Sequence, residues 1–492
     1  MTTSEAKAAA APLTTESFFD APRARFAPYL SPQMIAMLLS LVVAVGIGFS
    51  IGLGKWPFVI LMAAVPLVIL WPVQLSLGIF ALLIPFDSVG ALGQDKSGMT
   101  VTFVAGAATA GLLLFTGIAG RRMDKPRGQT LAWALFVGWA LLTAAWALNV
   151  NLSLAFLPTL MSLLTIYFAT TLLRFTRKEF TWIVGCTILG GLAAALYSIN
   201  SFRHGVSYHG LMTMRSSLII GNRETDPNDY ANNLLLPLSL AVGVVLTARR
   251  RTAQMLALAV AAIIMIAIIL TMSRGGLLSV FAMAIVYLYR FRLRMKALIP
   301  VAIMALALLA APSLFFQRIF SAVDSGGAGR THIWKAGFVA FQHYPIFGAG
   351  LGNFPAAFDR FAGEAPRFEG YGRGSHNIYL GVSVEFGVIG LLLLLLAFRQ
   401  QLRGRQFSSV PSPWHAAIAC EAAAWGMLVG GFFLDITWKK GFWFVWIMLA
   451  VAARFQQNPT RSSGQIPEPA PDRSLHRPLS SFSTPGRMTS PW

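Results

Sequence analysis

Charge is what this 492-residue chain has least of: 12% of its residues are Asp, Glu, Lys or Arg, against roughly 25% in an ordinary soluble protein. With 56% of the chain hydrophobic, a water-facing surface cannot be assembled from what remains. Cysteine is nearly missing. Cys186 and Cys420 lie far apart in apolar runs, which excludes a disulfide framework, a CxxC redox pair and a thiolate zinc site. Carboxylates are scarce, 19 against 39 lysines and arginines, and no pair of them has the spacing of a metal site. Neither a metal nor a cofactor is therefore expected. Residues 1–32 lack the apolar core of a cleavable signal, so the first spanning helix is expected to direct insertion.

What is abundant is apolar sequence in long runs. Stretches near the 17 to 25 residues that cross a hydrocarbon layer of roughly 30 Å recur from 33 to 454. They fall at 33–53, 56–72, 74–86, 99–119, 129–148, 153–173, 180–199, 231–248, 253–271, 276–290, 297–314, 377–398, 413–434 and 441–454. The fold class this predicts is an all-α polytopic membrane bundle of about 12 to 14 helices, the count depending on the short third and last spans. Residues 1–32 are read as a disordered segment, and 455–492, rich in Pro, Ser and Arg, as a disordered tail.

Basic clusters follow every second span: Arg121, Arg122, Lys125 and Arg127, then Arg174, Arg177 and Lys178, then Arg249 to Arg251. The alternation continues through Arg290, Arg292, Arg294 and Lys296, then Arg399, Arg403 and Arg405, then Arg454. By the positive-inside rule these loops and both termini are cytoplasmic. The net charge of +20 is thus spread over short loops rather than gathered on a soluble domain, and nucleic acid is not an expected partner. The acids collect on the other face, which is where polar chemistry is expected.

Two outer loops, 200–230 and 315–376, exceed the roughly 12 to 15 residues at which a structureless loop needs a reason. In the larger one, RTHIWKAGFVAFQHY places Trp334, Phe338 and Phe341 on one stripe, predicting an amphipathic helix over 330–344 lying along the membrane surface. Gly348, Gly350 and Gly352 in PIFGAGLGNF then predict a flexible or tightly turned stretch. The loop ends with Arg373 and His376 just before a span, where the histidine either caps that helix or serves as a base.

Arg274, in SRGG, sits where a span meets the outer edge, as a snorkelling cation or as one facing an anionic ligand. Asp226, Asn228 and Asp229 in GNRETDPNDYANN read as a helix-start turn or as a polar cluster at the site. Asp435, Lys439 and Lys440 read as interfacial anchors or as part of the same face. Together these groups suit a lipid-linked anionic substrate, since arginine grips phosphate oxygens in bidentate fashion and stays charged.

The blocks GNRETDPNDYANNLLLPL, TMSRGGLLSV, RTHIWKAGFVAFQHYPIFGAGLGNF and SHNIYLGVSVEFGVIGLLL, in this order over about residues 210–450, resemble the O-antigen ligase and polymerase family of bacterial membrane glycosyltransferases. The resemblance implies a GT-C-like bundle in the bacterial inner membrane with a large periplasmic loop. It also implies a glycan on undecaprenyl diphosphate, transferred to an acceptor hydroxyl at the periplasmic face. By motif, Arg274, Arg330 and His376 become the expected catalytic residues; Arg373, Asp226, Asp229, Lys439 and Lys440 join the two arginines as expected substrate contacts. Repeat-unit polymerisation for an exopolysaccharide or O-antigen is the leading expectation. Ligation to lipid A-core and protein O-glycosylation are the alternatives, with polysaccharide export and chain-length proteins as expected partners. From another class, a transporter would use mid-membrane carboxylates, for which Glu385 and Glu421 are the candidates, and a scaffold would use the long loops alone.

Overall fold

A computed structural model describes residues 71–89, 101–210, 214–220, 223–291, 330–364, 370–403 and 416–457. Expected spans 33–53, 56–72 (all but its last two residues) and 297–314 lie outside them, as do 1–32 and 458–492, whereas residues 455–457, expected to open a disordered tail, continue the last helix. The described chain is helical apart from one two-stranded ribbon. The first half runs through α1 (Pro72–Leu83), α2 (Val101–Ala119), α3 (Gly128–Leu142), α4 (Val150–Leu172) and α5 (Arg177–Arg203). Next come β1 (Ile219–Ile220) and β2 (Arg223–Glu224), then α6 (Pro227–Asn233), α7 (Leu235–Thr247), α8 (Arg251–Leu270) and α9 (Arg274–Arg290). The rest comprises α10 (Arg330–His343), α11 (Phe354–Phe361), α12 (Ile378–Leu402), α13 (Ala416–Gly430) and α14 (Lys440–Gln457).

Seven of the described helical stretches are long and apolar enough to cross a membrane, so the chain is an all-α polytopic membrane protein. Small residues set how closely the helices approach. α9 packs along α13, where a Cβ on Gly426 would lie 2.9 Å from Met283 and one on Gly430 would lie 2.6 Å from Ser279. Aromatic residues fill the centre, with Trp133 of α3 against Trp443 and Trp446 of α14 at ring separations of 4.8 and 5.9 Å.

α12 is broken within its apolar stretch. Gly387 has φ +66° and ψ −170°, which releases backbone groups that must find partners away from water. The glycine loop before α11 supplies them: Ala349 N–H donates to Val384 O at 2.8 Å and Gly350 N–H to Glu385 O at 2.9 Å. Trp139 Nε1 donates to Phe386 O at 2.9 Å, and Val388 N–H finds Pro345 O at 2.8 Å. The stretch expected to be flexible or tightly turned is therefore a tight one, docked into a helix break. Asn353, fully buried, holds its other side by donating to Asn149 O, Ser153 Oγ and Leu351 O.

The two carboxylates expected of a transporter are both engaged. Glu385 accepts from Phe354 N–H at 3.1 Å, and Glu421 is paired with Arg290 through both of its oxygens.

The expected helix at 330–344 forms as α10, and the face it packs against the protein is not the aromatic stripe. The buried face is Ile333, Ala336, Gly337 and Ala340, while Phe338 is 55% exposed and Trp334 and Phe341 flank the contact. Small residues win the packed face because α10 lies close on α12: a Cβ on Gly337 would sit 3.0 Å from Leu380.

Candidate active site

α8 ends at Leu270, and the turn into α9 passes through Met272 at φ +51°. Ser273 caps α9 by accepting from Gly276 N–H at 3.1 Å, which leaves Arg274 as the first helical residue. Arg330 is likewise the first residue of α10. The two arginines line one pocket of about 290 Å³ together with Gly275, Leu278, Thr331, Trp334 and Phe433. Burial lowers the pKa of Arg330, and the like charge of Arg274 lowers it further, against a pull from Asp226. Two cations facing one half-buried pocket are relieved by an anion between them, and guanidinium geometry suits phosphate oxygens.

His376 lies on the other side of a shared wall. Its backbone is left-handed, at φ +48°, and it does not cap α12. That role belongs to Asn377, whose side chain accepts from Tyr379 and Leu380 N–H at 2.9 and 3.1 Å. The imidazole, spared capping, lines a cavity of about 420 Å³ with Asp226, Asp229, Asp435, Lys439, Trp438 and Phe156 among its walls. Trp334 of the arginine pocket donates to Ser375 O at 3.1 Å, and Phe433 and Leu434 are consecutive residues lining one pocket each. Burial, then the charge of Arg330, lower the His376 pKa, with Asp226 and Asp229 opposing and Arg373 adding to the fall. The net effect favours the neutral imidazole, the form that accepts a proton.

The remaining expected residues divide. Asp226 caps α6, accepting from Asn228 and Asp229 N–H, and also lines the histidine cavity. Asp229 pairs with Lys439 at 3.0 Å; because that lysine is 48% exposed, the pair is worth about 0 to 1 kcal/mol. Burial works against the charge of Lys439, but Asp229, Asp435 and Asp87 outweigh it and raise its pKa. Arg373 is exposed and reaches the site as a charge felt by His376. Lys440 is not among the cavity residues. Its Nζ donates to Asp87 at 2.6 Å and Thr102 at 3.1 Å, joining α14 to the 3-10 turn that follows α1 (Ile84–Val89) and to α2.

Two residues were not singled out as site residues from the sequence. Asp435, on the cavity wall, has its pKa raised by burial, which Ser375 offsets with a hydrogen bond at 3.2 Å. Arg215, 8% exposed, donates to Thr271 O at 2.9 Å and Asn228 Oδ1 at 3.0 Å. It ties the turn that presents Arg274 to the helix that bears Asp229. Its signal in the sequence is faint: one arginine in the uncharged run MRSSLII. Among the described residues no group of three His, Cys, Asp or Glu side chains is placed to hold a metal ion.

A helical membrane protein with a paired-arginine pocket beside a histidine cavity is the class these observations define. Residues 257–395 match the family model described as O-Antigen ligase; this supports the O-antigen ligase and polymerase family and, in general terms, glycosyl transfer of that type. The matched segment contains Arg274, Arg330 and His376, whereas Asp226, Asp229, Asp435 and Lys439 come from outside it. No curated protein matches the chain.

Proposed function

We propose that the chain transfers a glycan from undecaprenyl diphosphate to an acceptor hydroxyl at the periplasmic face of the bacterial inner membrane, polymerising repeat units of an exopolysaccharide or O-antigen. The observation that carries this reading is that Arg274 and Arg330 line one pocket, with Trp334 of that pocket donating to the carbonyl of Ser375 beside His376.

In this reading the diphosphate lies between the two guanidinium groups and the first sugar points toward His376. The acceptor oxygen attacks the anomeric carbon as the bond from that carbon to the phosphate oxygen breaks. The bonding pair leaves with the diphosphate, whose growing charge Arg274 and Arg330 neutralise. His376 takes the hydroxyl proton and then releases it to water. Attack opposite the leaving group inverts the anomeric centre, and the arginines do the work that a metal does in other phosphate sites. Losing one such electrostatic donor costs about 10²- to 10³-fold in turnover, and losing a general base about 10²- to 10⁴-fold.

The test is transfer by the purified protein from a lipid-linked repeat unit. Arg330→Ala and His376→Ala are each expected to fall by at least about 10²-fold; near-normal transfer by His376→Ala would remove its assigned role. Ligation to lipid A-core uses the same chemistry with another acceptor, and gel profiles of surface glycan separate the two. Loss of long polymer with single repeats still attached means polymerase, whereas loss of all attachment means ligase.

A further inference from the structure

The His376 cavity carries groups that the bond-making step leaves unused. Its volume of about 420 Å³ falls within the roughly 300 to 1,000 Å³ of small-ligand sites. Two aromatic rings, Phe156 and Trp438, and three carboxylates, Asp226, Asp229 and Asp435, line it. Apart from Gly374 and His376, every lining residue lies outside the segment that matches the family. What the cavity selects is therefore set largely by residues beyond that segment.

Trp438 is held from several sides. Its ring stacks on Phe136 at 6.1 Å with 12° between the planes, and meets Phe386 edge-on at 6.0 Å. It also hydrogen-bonds Glu385 at the break in α12. A fixed apolar ring beside convergent polar groups is the combination that orients a small ligand. Each carboxylate already has a partner: Asp226 caps α6, Asp229 pairs with Lys439 at 3.0 Å, and Asp435 accepts from Ser375 at 3.2 Å. A carboxylate accepts about four hydrogen bonds, so each keeps capacity for the hydroxyls of a ligand. Among the described residues Lys439 is the one lysine or arginine that lines the cavity, and Arg274 and Arg330 line the other pocket.

We infer that this cavity is the acceptor subsite and takes an uncharged pyranose ring, packed on Trp438 with hydroxyls donating to Asp229 and Asp435, and that it rejects a ring bearing a carboxylate. The inference rests on the transfer reading above, because His376 is what brings the attacking hydroxyl to this cavity. A uronate placed here meets three carboxylates and one ammonium, and its own carboxylate has no hydrogen to give them.

The experiment is saturation-transfer NMR of the purified full-length protein at neutral pH. The probes are methyl glucoside with methyl glucuronide, and methyl galactoside with methyl galacturonide, pairs in which a carboxylate replaces a hydroxymethyl group. At least one neutral probe is expected to bind about tenfold or more tightly than its uronide, since opposed like charges suppress the wrong ligand. Lys439→Gln removes the ammonium and should widen that ratio about threefold, whereas Asp229→Asn should narrow it by as much. A merely structural ion pair would move both variants the same way. With Lys439 48% exposed, both variants are expected to fold. Equal or tighter uronide binding, no binding of either neutral probe, or ratios that do not move in opposite directions would each overturn the inference. The transfer reading fails separately, on absence of glycan transfer by the wild type.

Discussion

The indole of Trp334 donates to the carbonyl of Ser375 at 3.1 Å, so the helix that starts with Arg330 is fastened to the residue preceding His376. In Trp334→Phe the ring contact with Phe433, at a centroid distance of 6.5 Å, is largely kept while the hydrogen bond is lost. A net loss of about 0.5 to 1.5 kcal/mol follows, appearing as a fall in transfer rate of up to about tenfold with little change in Tm. Steady-state kinetics of the purified variant reads this, and an unchanged rate would show that the two pockets act independently.

Gly348 and Gly387 meet where the loop enters the break in α12. A Cβ on Gly348, at φ +78°, would lie 2.3 Å from Glu385 O. Gly348→Ala combines left-handed strain of about 1 to 2 kcal/mol with a clash that must push the two backbones apart and loosen Ala349 and Gly350 from their acceptors. The expected result is a drop of at least about 2 kcal/mol in stability, measured by melting in detergent, together with loss of activity. Gly363→Ala, whose Cβ meets nothing within 4 Å, is the control and should melt like wild type.

How much of this was legible beforehand depended on the kind of signal. Long apolar runs gave α2 and α8 to within two residues and α4 and α5 to within four at each end, because bilayer thickness constrains their length. The break in α12 was hidden because VSVEFGVIGLLLLLL is apolar almost without interruption, and the groups that satisfy it come from a loop some forty residues earlier in the chain. The face of α10 that packs on the bundle carried no aromatic signal, because close approach to α12 selected alanine and glycine there. Arg274, Arg330 and His376 stood out by motif, and two of them indeed share a pocket. Arg215 and Lys440 could be placed only by their partners, a carbonyl at Thr271 and a carboxylate at Asp87, which no local pattern reveals.

Arg290 and Glu421 join α9 to α13, with side chains 22% and 5% exposed. Breaking such a pair from one side leaves a poorly solvated charge, and Glu421→Ala is expected to cost about 3 kcal/mol. The double variant Arg290→Met with Glu421→Ala should recover much of that loss, giving a clear coupling energy in a double-mutant cycle. Glycan transfer should survive wherever the protein folds. Loss of activity with unchanged melting would instead give Glu421 a role in the reaction and reopen the reading as a carrier.

The charge state of His376 gives the sharpest test of how the two pockets communicate. An ordinary histidine has a pKa near 6.5; burial and then Arg330 push this one lower, while Asp226 and Asp229 pull it back. Its folded pKa is therefore below its unfolded one, so as pH falls through about 6.5 the unfolded chain takes up the proton first. The contribution to stability is absent above that pH, turns unfavourable as pH falls toward the folded pKa, and is constant below it. Activity should follow the neutral form, with kcat/KM flat near neutrality and its acid limb set by an apparent pKa under about 6.5. Arg330→Gln removes the largest opposing charge and should move the limb of the residual activity to higher pH. Asp229→Asn removes an attraction and leaves Lys439 without its partner at 3.0 Å, so the limb should move to lower pH. The measurement is kcat/KM between about pH 5 and 8 for the three proteins. Opposite displacements in the two variants would place His376 as the titrating base under the control of the arginine pocket, and superimposable limbs would assign the proton to another group.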